Sequence, residues 1–279
     1  MFEVIFLFVL ALIWIVFATI QDSRQREVAN WLNFSLIIFA LGFRFFYSLF
    51  SLEDFQFFYQ GLIGLGIFFV IGNVLYYGKM FAGGDAKLMI ALGPILPFST
   101  DFLTNIKAFL LFFILFLFVG AFYSIGASLY LSLKNFRKFR KEIVMQFHKN
   151  KTPMTVVIFL ALFFLVVGLS QKTFFVLGIF VFVLPYLYIY IKAVDESCMV
   201  VKVSSRKLTE GDWLYSDLRL GKKLIKANWG GLTKSEISLI RKKKKFVTIR
   251  NGIPFTPVFL VSFLLFYFFM KNGLWNSFW

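Results

Sequence analysis

The chain has 279 residues, 59% of them hydrophobic and 42 of them phenylalanine, with a formal net charge of +16. Soluble domains are roughly half apolar; here the apolar excess is gathered into long blocks, which excludes a soluble enzyme and points to a membrane protein that crosses the bilayer many times. A single cysteine, Cys198, and a single histidine, His148, exclude an intrachain disulfide, a cysteine-rich zinc site, a histidine triad and a multi-histidine metal site, so no metal and no cofactor is expected.

The positive charge does not read as nucleic-acid binding. Lys and Arg lie mainly in two polar segments beside apolar blocks, as the positive-inside rule expects, and no nucleic-acid motif accompanies them. Residues 2–20 form an apolar stretch long enough to cross a bilayer. The stretch opens Met1-Phe2-Glu3 with no basic region before it and no small-residue cleavage pattern after it, so a retained span is expected in place of a signal peptide. The polar loop 21–30 follows, then a span over about 32–50, an acidic loop with Glu53 and Asp54, and a span over about 58–78 whose Gly61, Gly64 and Gly66 allow close helix packing.

Next comes Phe81-Ala82-Gly83-Gly84-Asp85-Ala86-Lys87-Leu88-Met89, a turn with two glycines and a carboxylate at the edge of an apolar block. An acid at membrane depth is costly and is usually functional. The run from Lys87 to Pro97 reads as a short helix with Asp85 at or near its N-terminus; the alternative is that Asp85 merely caps that helix. The two glycines leave room for a close backbone approach. A long apolar block covers about 104–133, a basic loop covers 134–152, and two further spans fit about 154–170 and 173–192.

Residues 193–250 are the one sizeable polar region, read as a small α+β insertion before a last span at about 253–270. Within it, Met199–Val203 and Phe246–Arg250 read as strands, Glu210-Gly211-Asp212 as a turn, and Thr233 with Glu236 as a capping box that opens a helix through about Lys245. Arg241–Lys245 reads as a solvated basic helix end near anionic headgroups.

Charge decides the topology. If the short run after Asp85 crosses, loops 21–30, 79–87, 134–152 and 193–250 share one side and the acidic loop lies opposite. If it does not, a loop with Lys134, Arg137, Lys138, Arg140, Lys141, Lys149 and Lys151 against Glu142 is translocated, against the rule. The expected fold is therefore an all-α polytopic membrane protein of about eight transmembrane helices with both chain ends on the far side. Its parts are a membrane core at 1–192, the cytosolic insertion at 193–250, and a final helix and tail at 251–279.

That topology puts Asp22 and Asp85 on the same, cytosolic face, each after an apolar span. Two carboxyls held close cannot both ionise easily, so one keeps a proton. Such a pair can hydrolyse a peptide: the ionised partner takes a proton from water and the protonated one polarises the carbonyl. The alternative for Asp22 is a hydrated juxtamembrane acid paired to Arg24 or Arg26. A transporter or ion pathway built on an acid at a broken helix is the competing class; it predicts internal repeats and a polar site near the midplane, and the sequence shows no repeat.

Three stretches carry a family resemblance. Asp22-Ser23-Arg24-Gln25-Arg26-Glu27-Val28-Ala29-Asn30-Trp31-Leu32-Asn33, Ala82-Gly83-Gly84-Asp85-Ala86-Lys87-Leu88 and Asn251-Gly252-Ile253-Pro254-Phe255-Thr256-Pro257-Val258-Phe259-Leu260 resemble the first-aspartate segment, the second-aspartate segment and the lead-in to the final span of the type IV prepilin peptidases. Leu208–Trp213 and Gly231–Glu236 are similar to the cytosolic insertion of the archaeal preflagellin and prepilin peptidases. Ala82 stands where the family's Gly-x-Gly-Asp motif has its first glycine, and Ala29 where a proline is often found before Asn30.

The resemblance implies an intramembrane aspartic protease with Asp22 and Asp85 catalytic and Gly83, Gly84, Lys87 and Asn30 supporting the motif. It implies precursor archaellins or pilin-like proteins as partners, cut between a short basic leader and an apolar helix at the cytosolic face of the cell membrane. It also implies cleavage without methyl transfer, since the four-cysteine motif of many bacterial members is missing. Glu27, Asp195 and Glu196 are the acids expected to attract the leader.

Overall fold

The computed structural model describes residues 2–50, 55–221 and 223–274. The acidic loop with Glu53 and Asp54 lies outside the described residues. The chain divides into two compact units, Met1–Ser124 with Ile253–Trp279, and Ile125–Gly252.

The first unit contains α1 (Phe2–Gln25), α2 (Asn30–Phe50), α3 (Gln56–Tyr77), the short α4 (Gly83–Leu92), the first part of α5 (Phe102–Lys134) and α10 (Thr256–Lys271). Its interior is largely aromatic. Phe8 of α1 packs on Phe263 and Tyr267 of α10 with ring centroids 4.9 Å apart in each case. Phe116 of α5 lies 4.7 Å from Phe259, and Phe112 meets Phe266 edge to face at 5.8 Å. Such offset and edge contacts add to area burial. They give part of the phenylalanine excess a structural role in locking α10 onto α1 and α5.

Residues 83–100 retrace α3 in the opposite direction. Gly83 faces Tyr76 near the end of α3, Gly72 faces Ala86 and Ile90, and Gly64 faces Gly93 and Pro97. The Gln60 amide, near the start of α3, donates to the Thr100 carbonyl at 3.1 Å. From Tyr76 to Gln60 is about 24 Å of helix axis. Only the first ten residues of this return path are α-helical; the rest is turn and extended chain. A Cβ added at Gly64 would strike the Gly93 carbonyl, and one at Gly72 would strike the Ile90 side chain. This pair of close approaches is what lets so short a helix lie against α3.

Arg44 of α2 secures the non-helical half. It is fully buried, and its guanidinium donates to the carbonyls of Pro94 (2.7 Å), Phe57 (2.7 Å) and Pro97. The Phe57 ring lies 4.2 Å from the guanidinium carbon. Carbonyls beyond a helix end have no helical partner, and here a fork of N–H donors satisfies two of them.

Among the described residues, five helices are long and apolar enough to cross a membrane (α1, α2, α3, α5 and the helix from Lys172), or six if the pair Phe136–Lys149 and Lys151–Val167, bent by 73°, makes one span. The expected count of eight is not reached on that measure. α4 is only about 15 Å long and α10 has 16 described residues.

The second unit contains the rest of α5, then α6 (Phe136–Lys149), α7 (Lys151–Val167), α8 (Lys172–Val194) and the polar insertion. The segment expected to be a basic loop is the helix α6. Its Phe136, Phe139, Ile143 and Phe147 recur at helical spacing, and Phe139 and Phe147 pack on Tyr190 and Tyr186 of α8. The charges masked that period.

In the insertion, β1 (Val200–Ser204) and β2 (Trp213–Leu214) flank β5 (Phe246–Arg250) as an antiparallel sheet, and β3 (Leu218–Leu220) pairs with β4 (Lys223–Ile225). The helix α9 (Lys234–Lys243) opens on Thr233, whose hydroxyl accepts from the Glu236 N–H while the Glu236 carboxylate accepts from the Thr233 N–H, as the sequence predicts. Leu214, Ile225, Ile237, Ile240, Val247 and Ile249 form a separate core.

Candidate active site

Both aspartate segments fall in the first unit. Asp22 lies in the last turn of α1, which ends where Arg26 turns to φ 59° and donates its N–H to the Asp22 carbonyl at 2.8 Å. Asp22 is 8% exposed, buried and not hydrated. One carboxylate oxygen accepts from the Thr256 hydroxyl at 2.9 Å and from the Thr256 N–H at 3.3 Å. Thr256 is itself fully buried at the first position of α10. Backbone and side chain of one residue thus aim two donors at one acid.

Asp85 occupies the third position of α4. The N-cap is Ala82, with extended backbone at φ −70° and ψ 160°, so Asp85 is not the cap residue of the simple alternative. Any residue adopts that backbone, which explains why alanine serves where the family motif has glycine. Asp85 is half-buried, its carboxyl interacts with the Ala82 backbone, and the charge of Asp22 acts on it directly.

Two contacts join the segments. The Lys87 ammonium donates to the Asn30 amide oxygen at 2.6 Å, and Gly84 lies against Val28. A Cβ built on Gly84 would sit 3.5 Å from that of Val28, and one on Gly83 would sit 3.7 Å from the Tyr76 ring. These are ordinary contacts. The close approach expected at the paired glycines is therefore not demanded here; it occurs instead at Gly64 and Gly93.

The lead-in to α10 completes the surroundings. The Tyr123 hydroxyl donates to the Pro254 carbonyl at 2.8 Å and lies within electrostatic reach of Asp22. The Phe255 ring packs between Phe81 at 6.0 Å and Phe116 at 5.8 Å, so Phe81, two residues before Gly83, rests on the residue before Thr256.

The acids expected to attract a leader divide. Glu27 is exposed in the short connection after Asp22. Asp195 and Glu196 belong to the second unit, where Arg250 pairs with them at 3.0 and 3.1 Å. Glu196 also holds the Tyr215 phenol above its ordinary pKa through a hydrogen bond and its charge. Thr256 and Tyr123 were not singled out from sequence. Thr256 lies within the quoted Asn251–Leu260 stretch, but no spacing rule links it to a residue 234 positions earlier.

Residues 9–125 match the type IV leader peptidase family. Two curated relatives, both named preflagellin peptidase, come from Methanococcus maripaludis (28% identical over 90 residues) and Methanocaldococcus jannaschii (29% over 90 residues). Each alignment covers 32% of this chain and 38% of the relative, so the chain matches well under half the length of these relatives. No solved structure matches. The resemblance to the archaeal branch holds on these matches. The family match takes in Asp22 and Asp85 and leaves out the insertion and α10.

Proposed function

From the match of residues 9–125 to the type IV leader peptidase family, we propose that this chain is a membrane-embedded aspartic endopeptidase. It removes the short basic leader from archaellin or type IV pilin-like precursors at the cytosolic face of the cell membrane. What supports this reading is that the two aspartate segments meet, Lys87 bonded to Asn30 and Gly84 against Val28, with Asp22 held by Thr256.

The chemistry follows from the pair. One carboxylate takes a proton from water as the oxygen attacks the scissile carbonyl carbon. The other, holding a proton, donates a hydrogen bond to the carbonyl oxygen and then protonates the leaving nitrogen as the C–N bond breaks. Asp22, with two donors on one oxygen, is suited to the ionised role. Asp85, half-buried and facing that charge, is suited to the protonated one.

The proposed topology has eight traverses, with residues 83–100 counted as one because they retrace α3. Loops 21–30 and 79–87 then lie on the cytosolic side with α6 and the insertion. Glu27 is proposed to attract the basic leader. Asp195 pairs with Arg250, and Glu196 with both Arg250 and Lys192; they remain candidates for the leader through their spare acceptor oxygens.

The test is cleavage of tagged precursors by membranes containing the chain. Wild type should release the leader. Asp22→Asn and Asp85→Asn should each abolish cleavage in protein that still inserts, and the double variant should be no worse than either single, since the groups act as one unit. Near-normal turnover by Asp85→Asn would end the proposal.

A further inference from the structure

A groove of about 790 Å³ opens between α2, α3 and α4. Its walls include Ile37, Leu62 and Phe69, and Gly83 and Lys87 line it on either side of Asp85 in the chain. In a membrane protein an apolar groove alone means little, because lipid can fill it. Asn33 is different. It lines the groove one helical turn after Asn30, is 2% exposed, and neither its amide nitrogen nor its amide oxygen has a hydrogen-bond partner among the described residues. An unmade bond on a buried amide is expensive, and such groups call for a specific explanation. The amide nitrogen of Asn73, also on the groove wall, donates to the Phe69 carbonyl at 2.8 Å.

An amide whose nitrogen and oxygen are both free can pair with a peptide unit, which offers one N–H and one C=O. A helical segment has no such groups to spare except at its ends. Charge narrows the occupant further. Lys87 is the charged side chain on the groove wall among the described residues, so a basic leader is disfavoured there and an apolar segment is accepted. We propose that this groove receives the apolar segment of the precursor that follows the cleavage site, with Asn33 pairing to its backbone where the helix end is unwound beside Asp85. Asn33 is then a positioning residue. The inference rests on the peptidase reading above.

Two measurements on the full chain in membranes test it. A photo-crosslinking amino acid is placed at Ile37 or Leu62 in the Asp85→Asn background and irradiated with a tagged preflagellin; cleavage of the same precursor by the otherwise wild-type chain is followed in parallel. Crosslinks to the first turns of the precursor's apolar segment are expected. Crosslinks to lipid alone, with the precursor still cleaved by wild type, overturn the groove assignment and leave the peptidase reading standing. Failure of wild type to cleave any archaellin or pilin-like precursor overturns the peptidase reading and this inference with it.

The second measurement is kinetic. Asn33→Leu should raise KM about tenfold with kcat changed less than twofold, while thermal stability in detergent is kept or increased, because an unpaired buried amide is replaced by an apolar group. An unchanged KM, or a loss of stability that accounts for lower activity, removes Asn33 from the positioning role.

Discussion

The Lys87 ammonium donates a 2.6 Å hydrogen bond to the Asn30 side chain across 57 positions of sequence, and this bond fastens the middle of α4 to the start of α2. Asp85 lies two residues before Lys87, and Asp22 lies eight before Asn30. The bond therefore fixes how one aspartate segment is presented to the other.

If alignment is its role, Lys87→Met and Asn30→Leu should each lower kcat about tenfold, or about 1.4 kcal/mol in transition-state stabilisation. The double variant should match the singles, because one contact is lost in each case. Both side chains are exposed, so thermal stability should change little. Additive losses in single-turnover cleavage would mean that the two residues act separately.

The Thr256 pair of donors makes a sharper case. Thr256→Val removes the hydroxyl and keeps both the shape and the backbone N–H. A hydrogen bond to a charged group contributes about 1.5–3 kcal/mol, so kcat should fall at least tenfold with KM little changed, and Thr256→Ser should recover most of it. The pH–rate profile of the wild type should be bell-shaped, with limbs belonging to the carboxyl pair and not to either residue. In Thr256→Val the limbs should move while the bell remains. Limbs that stay fixed would remove Thr256 from the control of Asp22.

Arg44 supports the return path of residues 93–100. Arg44→Met leaves the carbonyls of Pro94, Phe57 and Pro97 without their donor and should destabilise the protein by about 3 kcal/mol. Arg44→Lys should recover only part of this, since a point charge cannot reproduce the fork. Thermal unfolding in detergent measures both. Full stability in Arg44→Lys would show that charge alone is what the site needs.

Topology is open to thiol labelling in a Cys198→Ser background. Cysteines at Ser23, Lys138 and Ser235 should resist an impermeant reagent in intact cells, and a cysteine at Ser51 should react, in line with the Lys and Arg asymmetry. Labelling at Lys138 without labelling at Ser51 would invert the arrangement, and labelling at both would separate α6 from the face that holds Asp22.

The sequence by itself determined the membrane class, the two aspartate segments, the strands β1 and β5, and the capping box at Thr233. Each is a local signal: a run of apolar residues, a motif, an alternation, a spacing of three. It missed α6 because dense basic charge hid a helical period that only packing on α8 makes visible. Of the glycines, it marked Gly64 for close helix packing, which the fold bears out, but it also expected a close approach at Gly83 and Gly84 and did not mark Gly93, which Gly64 meets backbone to backbone across a spacing that carries no signature. Only the tertiary structure decided that Asp22 is buried under Thr256, that Arg44 ties down the chain beyond α4, and that Asn33 has no hydrogen-bond partner among the described residues. Hydrogen bonds and buried charges are satisfied by whatever the fold brings near, and in a helical bundle those neighbours come from helices far apart in the chain.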